Sequence, residues 1–324
     1  METAVRIDAY RNGDEAAILS VWRLALAADA IDEATFAQKC LADPNYEREG
    51  MLVARQGDRV VGFVLAVVRR IPIGPGSGLD PETAWITAFG VTPDARRQGV
   101  ARRLFDAAEA FIRSRGRRRI EVSPYAPTYF WPGVDKDRYP EATAFLEGRG
   151  YRRVYDAVAM DKNLVGYAMP DDVSALEAEL RREGYDFTVL SPRYVRSLVA
   201  FNDRVFHADW ARAIRDAVAR RVDWDRTLIC VKDDEVCGFA QFGAYDHVPD
   251  RFGPFGVDES LRGKGIGKVL LYRTMNALVE KGYHDTWFLW TGERTPAGFL
   301  YRRAGFTVTR TFVVYGHALA GGPA

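Results

Sequence analysis

Two successive α/β domains of one plan are the fold class this sequence predicts. Three observations predict it: a length of 324 residues, three gap-free internal matches in the same order, and a glycine turn feeding an amphipathic helix in each half. A chain of that length exceeds the roughly 100 to 200 residues of an ordinary domain. Matches that recur in one order are the signature of a duplicated unit.

The first match pairs Met51 to Phe63 (MLVARQGDRVVGF) with Thr227 to Phe239 (TLICVKDDEVCGF). In each, alternating apolar residues flank a polar turn, Gln56-Gly57-Asp58 in one copy and Asp233-Asp234-Glu235 in the other, which is the pattern of an antiparallel hairpin. The second match pairs Val91 to Gly116 with Val257 to Gly282, each reading strand end, glycine-containing turn, amphipathic helix. Leu104, Ala108, Phe111 and Ile112 recur at helical spacing, as do Leu270, Thr274, Ala277 and Leu278. Gly116 and Gly282 stand where a helix stop belongs. The third match pairs Phe145 to Tyr151 (FLEGRGY) with Leu300 to Phe306 (LYRRAGF), a helix end, a glycine and an aromatic opening a last strand. Between the copies, Met169-Pro170-Asp171-Asp172 breaks the chain before a charged amphipathic helix, Val173 to Arg182. The expected domains are therefore residues 1–166 and 167–324.

Basic and acidic side chains nearly cancel, 45 against 44, so no overall field draws the chain to nucleic acid or to an anionic membrane. No run has the length and apolarity of a membrane span, and the N-terminus lacks a secretory pattern, so a soluble cytoplasmic protein is expected. Cys40, Cys230 and Cys237 lie in apolar stretches without metal-ligand spacing, which predicts buried free thiols and no metal.

A helix N-terminus carries unpartnered N–H groups and partial positive charge, so a glycine-rich turn feeding a helix cradles an anion. Arg262-Gly263-Lys264-Gly265-Ile266-Gly267 is such a turn: bare glycines let a diphosphate lie against the backbone, and Arg262 or Lys264 adds charge. Its counterpart is Arg96-Arg97-Gln98-Gly99-Val100-Ala101. A P-loop requires Ser or Thr after its Gly-Lys, where Gly265 stands, and the dinucleotide fingerprint requires a glycine where Lys268 stands.

With the hairpin, the entering strand, the helix and the closing helix-Gly-aromatic element, these turns resemble the Arg/Gln-x-x-Gly-x-Gly/Ala signature of the GNAT superfamily of acetyl-CoA-dependent N-acetyltransferases. The resemblance covers nearly the whole chain, twice, and is similar in plan to tandem members such as mycothiol synthase. It implies an α+β fold of two tandem domains, each a bent mixed sheet with splayed central strands flanked by helices. In the second, the strand ending at Val257 and that of Thr286 to Trp290 would part, acetyl-CoA entering between them. The pantetheine arm would pair with backbone near Phe255 and Val257, and the pyrophosphate would rest on Arg262, Gly263, Lys264, Gly265, Ile266 and Gly267. Val91, Arg96, Arg97, Gln98, Gly99, Val100 and Ala101 are the equivalent cofactor residues of the first copy. Pro254 within the entering strand predicts a local bulge that opens the split.

Acetyl transfer to an amine requires a neutral nitrogen, a polarised thioester carbonyl and a proton for the departing thiolate. The resemblance implies that a tyrosine one turn before the Gly-aromatic pair supplies that proton, and Tyr301 stands there, whereas the first copy has Leu146. The second half is thus expected to be catalytic and the first to be at most a CoA-binding module. The entering strand Arg251 to Val257 holds no carboxylate, so Asp246, His247 and Asp250 just before it are the candidate bases, with Asp250 assigned, and His207 and Asp209 are more remote candidates. The expected reaction is direct attack by a primary amine of a small molecule on acetyl-CoA in a ternary complex. A peptide acceptor and a non-catalytic acyl-CoA-binding module are the alternatives. Pro124 to Gly133 is an aromatic insertion without a counterpart, expected to cover a pocket or a domain interface. Arg113, Arg115 and Arg117 to Arg119 read as a solvated helix end, or else as a contact for the CoA 3′-phosphate.

Overall fold

Alternating apolar residues bring the first strands together. In the computed structural model, which describes residues 4–245 and 248–319, β1 (Val5–Ala9), β2 (Met51–Gln56), β3 (Arg59–Val68) and β4 (Thr83–Val91) form an antiparallel run. Between β1 and β2 come α1 (Glu15–Ala25) and α2 (Glu33–Phe36). The chain passes from β4 into α3 (Val100–Ser114), returns as β5 (Arg119–Val122) parallel to β4, and continues through β6 (Val134–Asp135), α4 (Pro140–Gly148) and β7 (Arg152–Asn163).

The plan then repeats after one added helix, α5 (Asp171–Arg182), with β8 (Asp186–Val189) opening the second copy as β1 opens the first. Helices α6 (Val195–Val205) and α7 (Ala208–Ala219) precede the hairpin of β9 (Thr227–Lys232) and β10 (Glu235–Phe242), whose turn residues Asp233 and Asp234 both have positive φ. That is the backbone a two-residue hairpin turn demands. β11 (Phe252–Val257), α8 (Ile266–Glu280), β12 (Asp285–Thr291), α9 (Pro296–Arg303) and β13 (Thr307–Ala318) complete the chain.

Contacts divide these elements into two units. Unit 1 holds Met1–Pro72, Gly78–Ala157 and Thr311–Ala324, and unit 2 holds Ile73–Ser77 and Val158–Arg310. The units depart from the halves 1–166 and 167–324 at their last strands. The end of β13 completes unit 1, Tyr315 to Ala318 facing Val122 to Arg119 of β5. The end of β7 completes unit 2, Asn163 to Met160 facing Asp285 to Phe288 of β12. An amphipathic pattern sets which face a strand buries, not whose edge it joins, so this exchange leaves no local trace. Within unit 2, β11, β10, β9 and β8 are neighbours in that order, all antiparallel.

The duplication reaches single side chains. Leu104, Ala108, Phe111 and Ile112 of α3 are buried, as are Leu270, Thr274 and Leu278 of α8, while Ala277 is half-buried. A Cβ on Gly62 would lie 3.0 Å from Leu104 Cδ1, and one on the equivalent Gly238 would lie 3.1 Å from Leu270 Cδ1. Both helices thus rest on a hairpin glycine because only a bare α-carbon admits that approach. The hairpin register slips at the same place in each, leaving Val61 and Cys237 as the extra residues.

Within unit 1 the aromatic insertion sends Tyr125 and Phe130 into the interior. Trp22 of α1 stacks on Phe63 at 5.1 Å and meets Phe130 at 4.9 Å and Trp131 at 5.9 Å, closing a second core in unit 1. Tyr125 is buried and accepts a hydrogen bond from Asn45 Nδ2 at 2.7 Å. Burial of such large rings removes more apolar area than any other residue type, which explains why they turn inward. Among the described residues no helix is long and apolar enough to cross a membrane.

Candidate active site

The site begins with a strand that lacks a neighbour. β11 is hydrogen-bonded along one side to β10 and meets β12 at an isolated parallel bridge, Arg251–Trp287. Past that bridge no further ladder joins them among the described residues, so a split opens toward Val257. Ala240 faces Phe255 and Phe242 faces Phe252, so two steps along β10 answer three along β11. The surplus residue lies in Gly253-Pro254, where Gly253 has φ +108°, and this is the bulge that Pro254 predicts.

At the open end of β11 the chain folds into a nest of backbone amides. Gly263 and Gly265 take left-handed φ values of +85° and +90°, and Gly265 caps α8. Alternation of left-handed and ordinary residues turns successive N–H groups to one side. Among the described residues the N–H groups of Gly263, Gly265, Ile266, Gly267 and Lys268 have no acceptor. Unit 1 repeats the geometry: Arg97 and Gly99 have φ +62° and +77°, and the N–H groups of Arg97, Gly99, Val100, Ala101 and Arg102 are likewise without acceptors. There β4 and β5 pair only as far as Ile86 and Val122, so β4 runs on to Val91 without β5 beside it.

Packing explains the remaining glycines of the turn. A Cβ on Gly265 would sit 2.7 Å from Leu176 Cδ2 of α5, and one on Gly267 would sit 3.4 Å from the Phe255 ring. Arg262 pairs with Glu259 on the exposed surface, and Lys264 lies 3.4 Å from Glu183. Exposed pairs of this kind are weak, so both cations remain open to a stronger anion.

Tyr301 of α9 points inward between the diverging strands. Its ring meets Phe252 and Phe255 of β11, each at 5.9 Å, and Phe288 of β12 at 4.5 Å, with Phe306 at 5.6 Å. Burial among these rings pushes its hydroxyl well above the usual tyrosine range. In unit 1 the matching Leu146 is fully buried and bears no proton to give.

Asp250 stands at the closed end of the split, one residue before the Arg251–Trp287 bridge, and its carbonyl accepts from Thr286 Oγ1 at 2.9 Å. Burial, with the neighbouring Asp285 adding to it, raises its carboxyl above the usual range. Asp246 and His247 lie outside the described residues. His207 is exposed and precedes α7, and Asp209 lies in the first turn of that helix.

Residues 20–129 match the acetyltransferase (GNAT) family and residues 223–308 match the acetyltransferase (GNAT) domain, so the two matches together span more than half of the chain. The chain belongs to the GNAT superfamily. Its enzymatic class is accordingly that of an acyltransferase, in a superfamily that uses acetyl-CoA. A mycothiol acetyltransferase of Catenulispora acidiphila is 25% identical over 341 residues, covering 97% of this chain and 99% of that one. The glucosamine N-acetyltransferase region of a fungal multi-domain β-N-acetylglucosaminidase superposes with a TM-score of 0.81 at 21% identity, over 98% of this chain, which spans only 38% of that larger protein. A tandem GNAT protein from the clavulanic acid biosynthesis pathway superposes with a TM-score of 0.64 at 17% identity, over 99% of this chain and all of that one.

Two features of this GNAT chain escaped its sequence. Phe206 fills the space over Gly256, where a Cβ would come within 2.3 Å of its ring, and Leu176 fills that over Gly265. Leu176 comes from α5 and Phe206 from the turn between α6 and α7, both far away in the chain, so only the glycines hinted at them. The arginines at the end of α3 are not near the nest. Arg115 pairs with Glu47 at 2.8 Å, Arg119 with Glu121 at 2.7 Å and Arg113 with Glu109 at 3.5 Å, at the opposite end of the helix from Gly99.

Proposed function

We propose that unit 2 is an acetyl-CoA-dependent N-acetyltransferase that passes an acetyl group to a primary amine of a small molecule by direct attack in a ternary complex. The observation that carries this reading is the set of unbonded amides at Gly263 and from Gly265 to Lys268 beside a split whose two strands cage Tyr301. The nest supplies aligned donors for a diphosphate, which Arg262 and Lys264 reinforce. Backbone at Phe255 and Val257 offers the free edge on which a pantetheine arm adds as a strand.

Tyr301 stays protonated throughout the neutral range because burial disfavours its anion, and it hands its proton to the thiolate as the carbon–sulfur bond breaks. Asp250, with its raised carboxyl, accepts the proton that the attacking amine loses, through water where the distance requires. Unit 1 holds a coenzyme on Val91, Arg96, Arg97, Gln98, Gly99, Val100 and Ala101 without turning it over, because Leu146 replaces the acid. The resemblance to mycothiol acetyltransferases supports a small-molecule acceptor. Amine-dependent release of CoA across a panel of amines tests the reading. Absence of turnover with every amine, in a protein that binds acetyl-CoA, refutes catalysis and leaves a binding module.

A further inference from the structure

The hairpin of unit 2 carries two thiols that the proposed chemistry does not use. Cys230 on β9 and Cys237 on β10 bring their Sγ atoms to 3.6 Å. Cys237 is the surplus residue of the bulge, so it shares the position opposite Cys230 with Gly238. A bulge re-aims the side chain it carries. Cys230 is fully buried, whereas Cys237 is partly exposed, so reagents reach one thiol and not the other. The expectation of uniformly buried thiols fails at Cys237, which is only half-buried. In unit 1 the same two places hold Ala54 and Val61, both apolar and fully buried. When Cys237 ionises, the Cys230 S–H donates to its sulfur, which holds Cys237 below the usual thiol range and drives Cys230 above it. The lower-pKa, more open thiol is the nucleophile of such a pair.

The bulge is joined to the amide nest by hydrogen bonds. The Cys237 carbonyl accepts from Asp258 N at 2.9 Å. The Asp258 carboxylate accepts from Ser260 N at 3.0 Å and from Ser260 Oγ at 2.7 Å, which fixes the turn Glu259–Leu261. The Leu261 carbonyl then accepts from Lys264 N at 3.4 Å, inside the nest.

We propose that Cys237 is a modification site for low-molecular-weight disulfides, that Cys230 resolves the adduct into a Cys230–Cys237 disulfide, and that this bond loosens the nest's hold on coenzyme. The last part rests on the function proposed above. First the Cys237 thiolate attacks one sulfur of R–S–S–R, forming a mixed disulfide and expelling RS⁻, which takes up a proton. Cys230 then attacks the Cys237 sulfur and expels the second RS⁻, which takes the Cys230 proton as it leaves. Two protein thiols are oxidised and one small disulfide is reduced to two thiols. Closure draws the sulfurs from 3.6 Å to a bond of about 2.05 Å, and the displacement falls on the bulge whose carbonyl holds Asp258.

The test treats the full chain with glutathione disulfide and follows intact mass, peptide mapping and CoA affinity by calorimetry, before and after reduction by dithiothreitol. Wild type should lose two hydrogens. Cys230→Ala should trap a glutathione adduct on Cys237, and Cys237→Val should remain unmodified; each variant borrows the residue that unit 1 uses at that place. Cys40, buried and without a neighbouring thiol, is the internal control. CoA should bind about tenfold more weakly to the oxidised wild type, recover on reduction, and bind Cys237→Val equally under both conditions. No adduct on Cys237 in the native chain, or preferential labelling of Cys40, overturns the site. A disulfide with unchanged CoA affinity overturns the coupling. If the reduced protein binds no CoA, the acetyltransferase reading fails while the mass measurement still decides the dithiol.

Discussion

Gly265→Ala probes the nest with a single carbon. The backbone at Gly265 has φ +90°, and the new Cβ would stand 2.7 Å from Leu176 Cδ2. Left-handed backbone costs an L-residue about 1–2 kcal/mol. Overpacking a contact of this kind costs about 1–3 kcal/mol. Between about 2 and 5 kcal/mol therefore falls on one turn, which relieves it by rotating its amides away from their common focus. Calorimetric titration with CoA should show affinity lowered at least tenfold, equivalent to about 1.4 kcal/mol, with a reduced Tm. Adding Leu176→Ala should return the steric part and leave the backbone part, so the pair will be non-additive. If the folded variant kept both its Tm and its CoA affinity, the account of the turn would be refuted. A lower Tm with unchanged CoA affinity would spare the geometry and remove the nest as the coenzyme site.

Further expectations concern catalysis and the two cores. Tyr301→Phe keeps the aromatic cage and should leave CoA affinity intact while lowering turnover on the order of a hundredfold; equal turnover would remove Tyr301 as the acid. Asp250 acts as a base only when ionised, and its carboxyl lies above the usual range of about 3.9, so kcat/KM should fall as pH drops through that raised value. A pH–rate profile of Asp250→Asn that retained the acidic limb would assign the limb elsewhere. Leu146→Tyr adds volume at a fully buried site and should destabilise by about 1–3 kcal/mol in urea titration without creating a second turnover site. Trp22→Ala should cost about 3–5 kcal/mol by the same titration, since its ring meets Phe63, Phe130 and Trp131.

Much of this could be read in the chain because it is written locally. The hairpins, the two helices opening at Gly99 and Gly265, and the bulge at Pro254 each depend on residues within a turn or two of one another. Tyr301 was legible through its distance from Gly305 and Phe306, but its cage of Phe252, Phe255 and Phe288 comes from separate strands. Leu176 over Gly265 and Phe206 over Gly256 were invisible for the same reason: a glycine announces a close approach without naming the visitor. The proximity of Cys230 and Cys237 follows from hairpin register, yet the slip that aligns them is one residue wide, finer than alternation can resolve. The inward turn of Phe130 depends on Trp22, about a hundred residues upstream, which no local pattern reveals.

The exchange of closing strands bears on how this protein is born. Arg119 finds its partner in Ala318, so the segment that seals the first sheet is made only after Val158–Arg310 of unit 2. Thermodynamically the delay is cheap, because each doubling of a loop adds only about 0.6 kcal/mol. Timing is the harder constraint: until β13 is made β5 presents a bare edge, and a bare edge recruits whichever matching tail arrives first. A fragment ending at residue 166 would lack β13 altogether, leaving that edge open to capture by the tail of another molecule and to swapped dimers.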